Sequence, residues 1–118
     1  MVYKANTKKR EKTDFIAIHC SATANQNFGA ADIDKWHRKQ GWTCIGYHYV
    51  IRRDGTVEQG RDEAVVGAHV ADWNSVSLGI CMVGGVSADD HTKAQNNFTK
   101  AQFESLKRLR VDLKTRYP

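Results

Sequence analysis

The stretch FIAIHCSA, residues 15–22, sets His19 beside Cys20 inside an apolar, β-branched run. Imidazole nitrogen and thiol sulfur are the commonest protein donors for zinc, and both side chains also serve as catalytic groups. A regular strand turns successive side chains to opposite faces, so these two cannot meet at one centre. One of them is structural. A small thiol sits easily in a core, whereas a histidine near a strand end needs a polar partner or an open site. Cys20 is therefore expected in the core, and the residues alone leave His19 open between a satisfied core histidine and a functional one.

The other candidates are scattered. Cys20, Cys44 and Cys81 make an odd count without CxxC spacing, which favours free thiols in a reducing compartment over a disulfide scaffold or a four-cysteine zinc ribbon. His37 falls on the apolar face of an expected helix. Tyr47, His48 and Tyr49 alternate along an expected strand, so if Tyr47 faces a cleft His48 faces away. Trp36 and Trp42 fit a core better than a saccharide platform. His91 lies in a polar loop and is assigned to solvent.

The elements that must carry these residues follow from periodicity. DFIAIHCSA is expected to be a buried strand, followed by loop residues in TANQNFG. From Ala30 to Gln40 the positions Ile33, Trp36 and His37 share one helical face, and Gly41 closes the helix. YHYVIRRDGTVEQG has two alternating runs around Asp54-Gly55, a dipeptide that accepts the positive φ angles of a tight hairpin. SLGICMVGG is a second buried strand ended by paired glycines. Thr99 and Gln102 form a capping-box pattern for a last helix with Phe103, Leu106, Leu109, Leu113 and Tyr117 on one face. Its other face carries Lys107, Arg108, Arg110, Lys114 and Arg116. The order strand, helix, hairpin, strand, helix predicts an α/β fold: a single domain with a central mixed β-sheet flanked by helices.

Length and composition agree. A chain of 118 residues with 41% hydrophobic content forms one domain with one real core, and its apolar runs are too short to span a membrane. Residues 1–12 hold Lys4, Lys8, Lys9, Arg10 and Lys12 against Glu11, which is four of the five net positive charges. This basic arm, taken as residues 1–13, fits a solvated, mobile terminus better than a dedicated contact for an anionic partner. The body, residues 14–118, is nearly neutral. No signal-peptide core follows the basic residues, so a cytoplasmic location is expected.

Linked motifs then narrow the reading. IHCSAT, WHRKQGW, IGYHYVIRRDGTVEQGRD, VGAH and SLGICMVGG stand in an order and spacing that resemble the zinc-dependent N-acetylmuramoyl-L-alanine amidases related to peptidoglycan recognition proteins. NNFTKAQFESL and the basic arm before TDFIAIHCSAT are similar to the T7 lysozyme group within that family. The likeness spans nearly the whole chain. It implies an amidase-like fold, peptidoglycan as partner, and hydrolysis of the amide between the lactyl group of N-acetylmuramic acid and L-alanine. By resemblance His19 is a zinc ligand, Tyr47 a catalytic tyrosine, and His37, His69 and Asn74 substrate-binding positions. Zinc would bring the pKa of a bound water to about 7 and polarise the amide carbonyl, while a phenol such as Tyr47 would hydrogen-bond the oxyanion or hold the water.

A catalytic zinc needs three protein ligands and an open position. In the family the later ligands follow the helix that here ends in LKTRYP, so the resemblance implies an amidase domain that is incomplete at its C-terminus. Cys81 has the look of a core residue, and Cys44 and His69 would need a rearranged groove to complete the site. Three expectations follow in order: an incomplete form of an active amidase, half of a site completed by a second chain, or a form that keeps only binding. Exposed apolar surface at an unpaired sheet edge would then favour self-association.

The resemblance also implies residence in the host cytoplasm until the wall becomes accessible, as for a phage endolysin. A competing function of another class is a regulatory protein that binds and inhibits phage RNA polymerase, a role that needs no zinc. Direct nucleic-acid binding is not expected, because no aromatic residues are interleaved with the basic ones.

Overall fold

The computed structural model describes residues 8–117. Its elements run β1 (Phe15–Cys20), α1 (Ala30–Lys39), β2 (Tyr49–Ile51), β3 (Val57–Gln59), a single 3-10 turn at Asn74–Val76, β4 (Ser77–Met82) and α2 (Lys100–Arg116). The four strands form one sheet in the order β1-β4-β2-β3. β4 is parallel to both β1 and β2, and β3 closes the far edge antiparallel to β2. This is the mixed sheet the sequence pattern predicts.

The pleat divides the core in two. On one face Ile33 of α1 packs with Val50, Cys81 and Val83; on the other Leu109 and Leu113 of α2 pack with Ile51, Leu78, Ile80 and Met82. Every residue of β4 is buried, as its position between β1 and β2 requires.

α2 is fixed at its start by a capping box. Gln102 N–H donates to Thr99 Oγ1 and Thr99 N–H to Gln102 Oε1, while the Gln102 amide donates to the carbonyls of Val83 and Ile51. One buried side chain thus caps the helix and ties it to the ends of two strands. Burial in the first turns goes to Gln102 and Ser105, and Phe103 is exposed. The expected apolar face therefore holds only from Leu106 onward.

Three further expectations need correction. β1 is an edge strand, not a fully buried one: Phe15 and Ile18 are about half exposed, and Cys20 is exposed rather than core. Cys20 lies on the α2 face of the sheet beside Met82, where it lines an open cleft with Phe98, Phe103 and Leu106 that none of the described elements fills. The hairpin turn is a wider one than Asp54-Gly55 alone would make. Arg52 and Thr56 close it, and Gly55, with φ of +90°, is its left-handed residue.

Lys8–Thr13, the described part of the basic arm, is tied to the body. Lys9 bridges Val65, Arg10 N–H donates to the carbonyl of Ala64 and Glu11 N–H to that of Ser75. The arm's first residues, Lys4 among them, lie outside the described residues.

Candidate active site

The site is built from one end of the sheet and two loops that cross it. His19 is the fifth residue of β1 and pairs with Cys81 of β4, so its side chain lies on the α1 face. α1 sets the next wall. Asp34 Oδ1 accepts from Ile45 N–H at 2.8 Å and His37 Nδ1 accepts from Gly46 N–H at 3.0 Å, which fixes the approach to Tyr47. A buried guanidinium fastens the two walls together: Arg61 donates to the carbonyls of Cys44, Ile45 and Val66. Gly46 then lets the loops touch, since a Cβ there would sit 2.2 Å from the carbonyl oxygen of Ala68.

Asn74 organises the second loop. Its Oδ1 accepts from the backbone N–H groups of both His69 and Val70, at 3.0 and 2.9 Å. The His69 ring lies flat over Gly79 of β4, where a Cβ would approach ring atoms to 2.5 Å. From this perch His69 Nδ1 reaches His19 Nε2 at 3.0 Å.

The result is a cleft of about 350 Å³ walled by His37, Trp42, Tyr47, His69, Val70 and Asn74, with His19 beside it. The Tyr47 ring stands 5.5 Å from that of His19 and 5.7 Å from that of His37, centroid to centroid. All five residues singled out from the sequence, His19, His37, Tyr47, His69 and Asn74, converge here. The 67–69 loop folds over β4 and brings His69 to His19 as a hydrogen-bond partner, not as part of a metal-ligand set among the described residues.

Electrostatics keep the cluster uncharged. Burial lowers the pKa of His19 and His37, and Arg61 lowers that of His37 further. His69 falls to about 3, through burial and then through the neighbouring His48 and His19. Burial raises Tyr47 above its usual range and pushes the neighbouring Cys81 thiol up to about 12. At neutral pH the site presents neutral imidazoles and a protonated phenol.

Two residues were misplaced by sequence reasoning. His48 does not face away: it precedes β2, is fully buried, and packs its ring 5.6 Å from that of His69. Trp42 is not core but exposed, with its ring 4.3 Å from that of His37 at the mouth of the cleft. Its signal was its place just after Gly41, where a helix has ended and an aromatic side chain is free of the core. Cys81 is core, as expected, yet it also touches the phenol of Tyr47.

Comparison with known proteins fits this arrangement. The family model described as N-acetylmuramoyl-L-alanine amidase matches residues 9–118. The chain belongs to this amidase family. This amidase is 52% identical over 111 residues to the endolysin of Escherichia phage T7, a match covering 93% of this chain and 72% of that protein. Among solved structures it superposes on the N-acetylmuramoyl-L-alanine amidase LysC from Clostridium intestinale with a TM-score of 0.75 and 28% identity, covering 99% of this chain and 76% of that one. Drosophila PGRP-LB shares the fold at a TM-score of 0.79 and 23% identity, covering 99% and 69%.

Zinc, which the family implies, requires a fuller donor set than these residues make. Among the described residues no group of three or more His, Cys, Asp or Glu side chains is placed to hold a metal ion. His19 and His69 are hydrogen-bonded to each other, and burial keeps the Cys81 thiol protonated. The described residues by themselves do not fit a catalytic zinc.

Proposed function

We propose that this amidase is a zinc-dependent endolysin. It cleaves the amide between the lactyl group of N-acetylmuramic acid and L-alanine, with the reacting amide held in the cleft between Tyr47 and His69. The convergence of His19, Tyr47, His37 and His69 on one neutral, half-enclosed cleft is the observation that supports this reading most directly. His19 is the metal ligand within the described residues, and the remaining donors come from outside residues 8–117 or from a second chain.

The chain's own residues supply orientation and a proton donor. Tyr47 stays protonated across the physiological range, so its O–H can donate to an oxyanion developing on the amide carbonyl. Trp42 and His37, their rings packed together at a tilt, form a wall for a peptide or sugar, and Asn74 holds the loop that presents His69. Release into the wall from the host cytoplasm belongs to the same reading.

The polymerase-binding reading gains nothing from the described arm. Arg10 spends its guanidinium on the carbonyls of Glu63 and Lys12 and on the Thr13 hydroxyl, and Lys12 pairs with Asp14.

Metal add-back tests the proposal. Dialysis against a chelator should abolish release of L-alanine amino groups from purified peptidoglycan, and zinc should restore it in the parent chain but not in His19→Ala. Full activity of the chelated protein, or of His19→Ala, would overturn the zinc assignment.

A further inference from the structure

We propose that Arg61 is a positioning residue for the amidase reaction: its guanidinium sets the spacing between the Tyr47 wall and the His69 loop. This deepens the proposed function and rests on it for what Tyr47 and His69 do to the substrate.

Arg61 is 2% exposed, and among the described residues no carboxylate pairs with it. A cation in that position needs its donors matched, because a buried charge left without partners is strongly destabilising. Carbonyl oxygens alone meet the need. Nε donates to Ile45 at 3.0 Å and Nη2 to Cys44 at 3.3 Å, on the wall that leads into Tyr47. Nη1 donates to Val66 at 2.9 Å, at the root of the loop that carries His69. An apolar side chain of similar volume would fill the same space with no charge to desolvate. It would not join the two segments.

The main chain at the same place grips Tyr47 itself. Arg61 N–H donates to the Tyr47 carbonyl at 2.8 Å and Gly60 N–H to that of His48 at 2.7 Å, and a Cβ at Gly60 would lie 2.4 Å from the Tyr47 oxygen. The two walls also meet directly, where Ala68 N–H donates to the Gly46 carbonyl at 3.0 Å. Gly46 follows Ile45 and Ala68 stands two residues past Val66, so the guanidinium braces that seam from both sides. A planar fork with fixed donor directions suits the task. A lysine amine, one nitrogen on a flexible stem, keeps the charge but does not hold both segments at set angles.

Amide hydrogen exchange of the parent chain and of Arg61→Lys tests this without turnover, with Leu109→Ala, in the core on the α2 face, as a control for plain loss of stability. In Arg61→Lys the Gly46 and Ala68 amides should exchange about 10-fold faster, relative to those of β4, than in the parent; Leu109→Ala should not raise that ratio. In turnover, Arg61→Lys should lower kcat by about 10²-fold, the cost of a misplacement of about 1 Å. On a Tyr47→Phe background the same change should cost much less, because Arg61 acts through Tyr47. Equal acceleration at the cleft and in β4, no acceleration, or a variant that does not fold would each overturn the proposal and leave Arg61 a residue of the fold alone. A raised ratio with unchanged kcat would overturn it too. An inactive parent chain counts against the proposed function, and the exchange ratio then decides by itself whether Arg61 sets the spacing.

Discussion

His19 Nε2 and His69 Nδ1 lie 3.0 Å apart although 50 residues separate them in the chain. The contact joins an edge strand to a loop that crosses the neighbouring strand, so it forms only when β1, β4 and the 67–69 loop are all in place. It makes the cleft a product of the whole sheet rather than of any one motif.

Tyr47→Phe removes a hydroxyl from the lining of the cleft and leaves the ring packing intact. Amide hydrolysis should fall by about 10²–10³-fold, a typical loss for an oxyanion donor, with little change in thermal stability. Steady-state assay beside a melting curve checks both. Activity within threefold of the parent chain would remove Tyr47 from the chemistry.

Gly79→Ala tests the bed of the His69 ring. The new Cβ would sit 2.5 Å from ring atoms in the position now observed, and the ring must move. The expected outcome is a loss of about 1–3 kcal/mol in urea unfolding, together with a drop in activity. An unchanged protein would mean that the ring is not held against β4.

Trp42→Ala should raise KM for a muramyl peptide by about 3- to 10-fold, the worth of one aromatic contact, with a smaller effect on kcat. Trp42 is exposed, so stability should hardly change. An unaltered KM would return Trp42 to an incidental surface residue.

Acid should destabilise the fold in two stages. Burial brings His48 down from 6.5 to about 4, so between those values the unfolded chain binds the extra proton and stability falls as pH falls. For Glu63, burial alone would raise the pKa, but hydrogen bonds from Arg116, Tyr49 and Tyr117 outweigh it and hold the carboxyl at about 2. Its contribution is complete above 4.5 and is lost as pH drops toward about 2. Urea unfolding from pH 8 to 3 should show both declines, and Glu63→Gln should flatten the lower one. A flat profile in the parent chain would contradict the linkage.

The fold was legible because each element carries its own local signal. The capping box at Thr99 and Gln102, the glycine pair after β4 and the alternation around Asp54-Gly55 are all short-range patterns. Errors arose where neighbours outside the window decide burial. Cys20 was placed in the core because its strand is apolar, yet β1 is an edge and α2 leaves its end uncovered. His48 was sent to the opposite face by strict alternation, which does not apply before β2 begins at Tyr49. Arg61 shows no periodic signal at all, and only the folded chain reveals its three carbonyl partners.

The most direct test is the chemical identity of the bond that is cut. Purified peptidoglycan digested by the zinc-supplied chain should yield new L-alanine amino termini and intact glycan strands, resolved by amino-group labelling and mass spectrometry of the products. New reducing sugar ends, or no L-alanine amine above the level given by His19→Ala, would contradict the account.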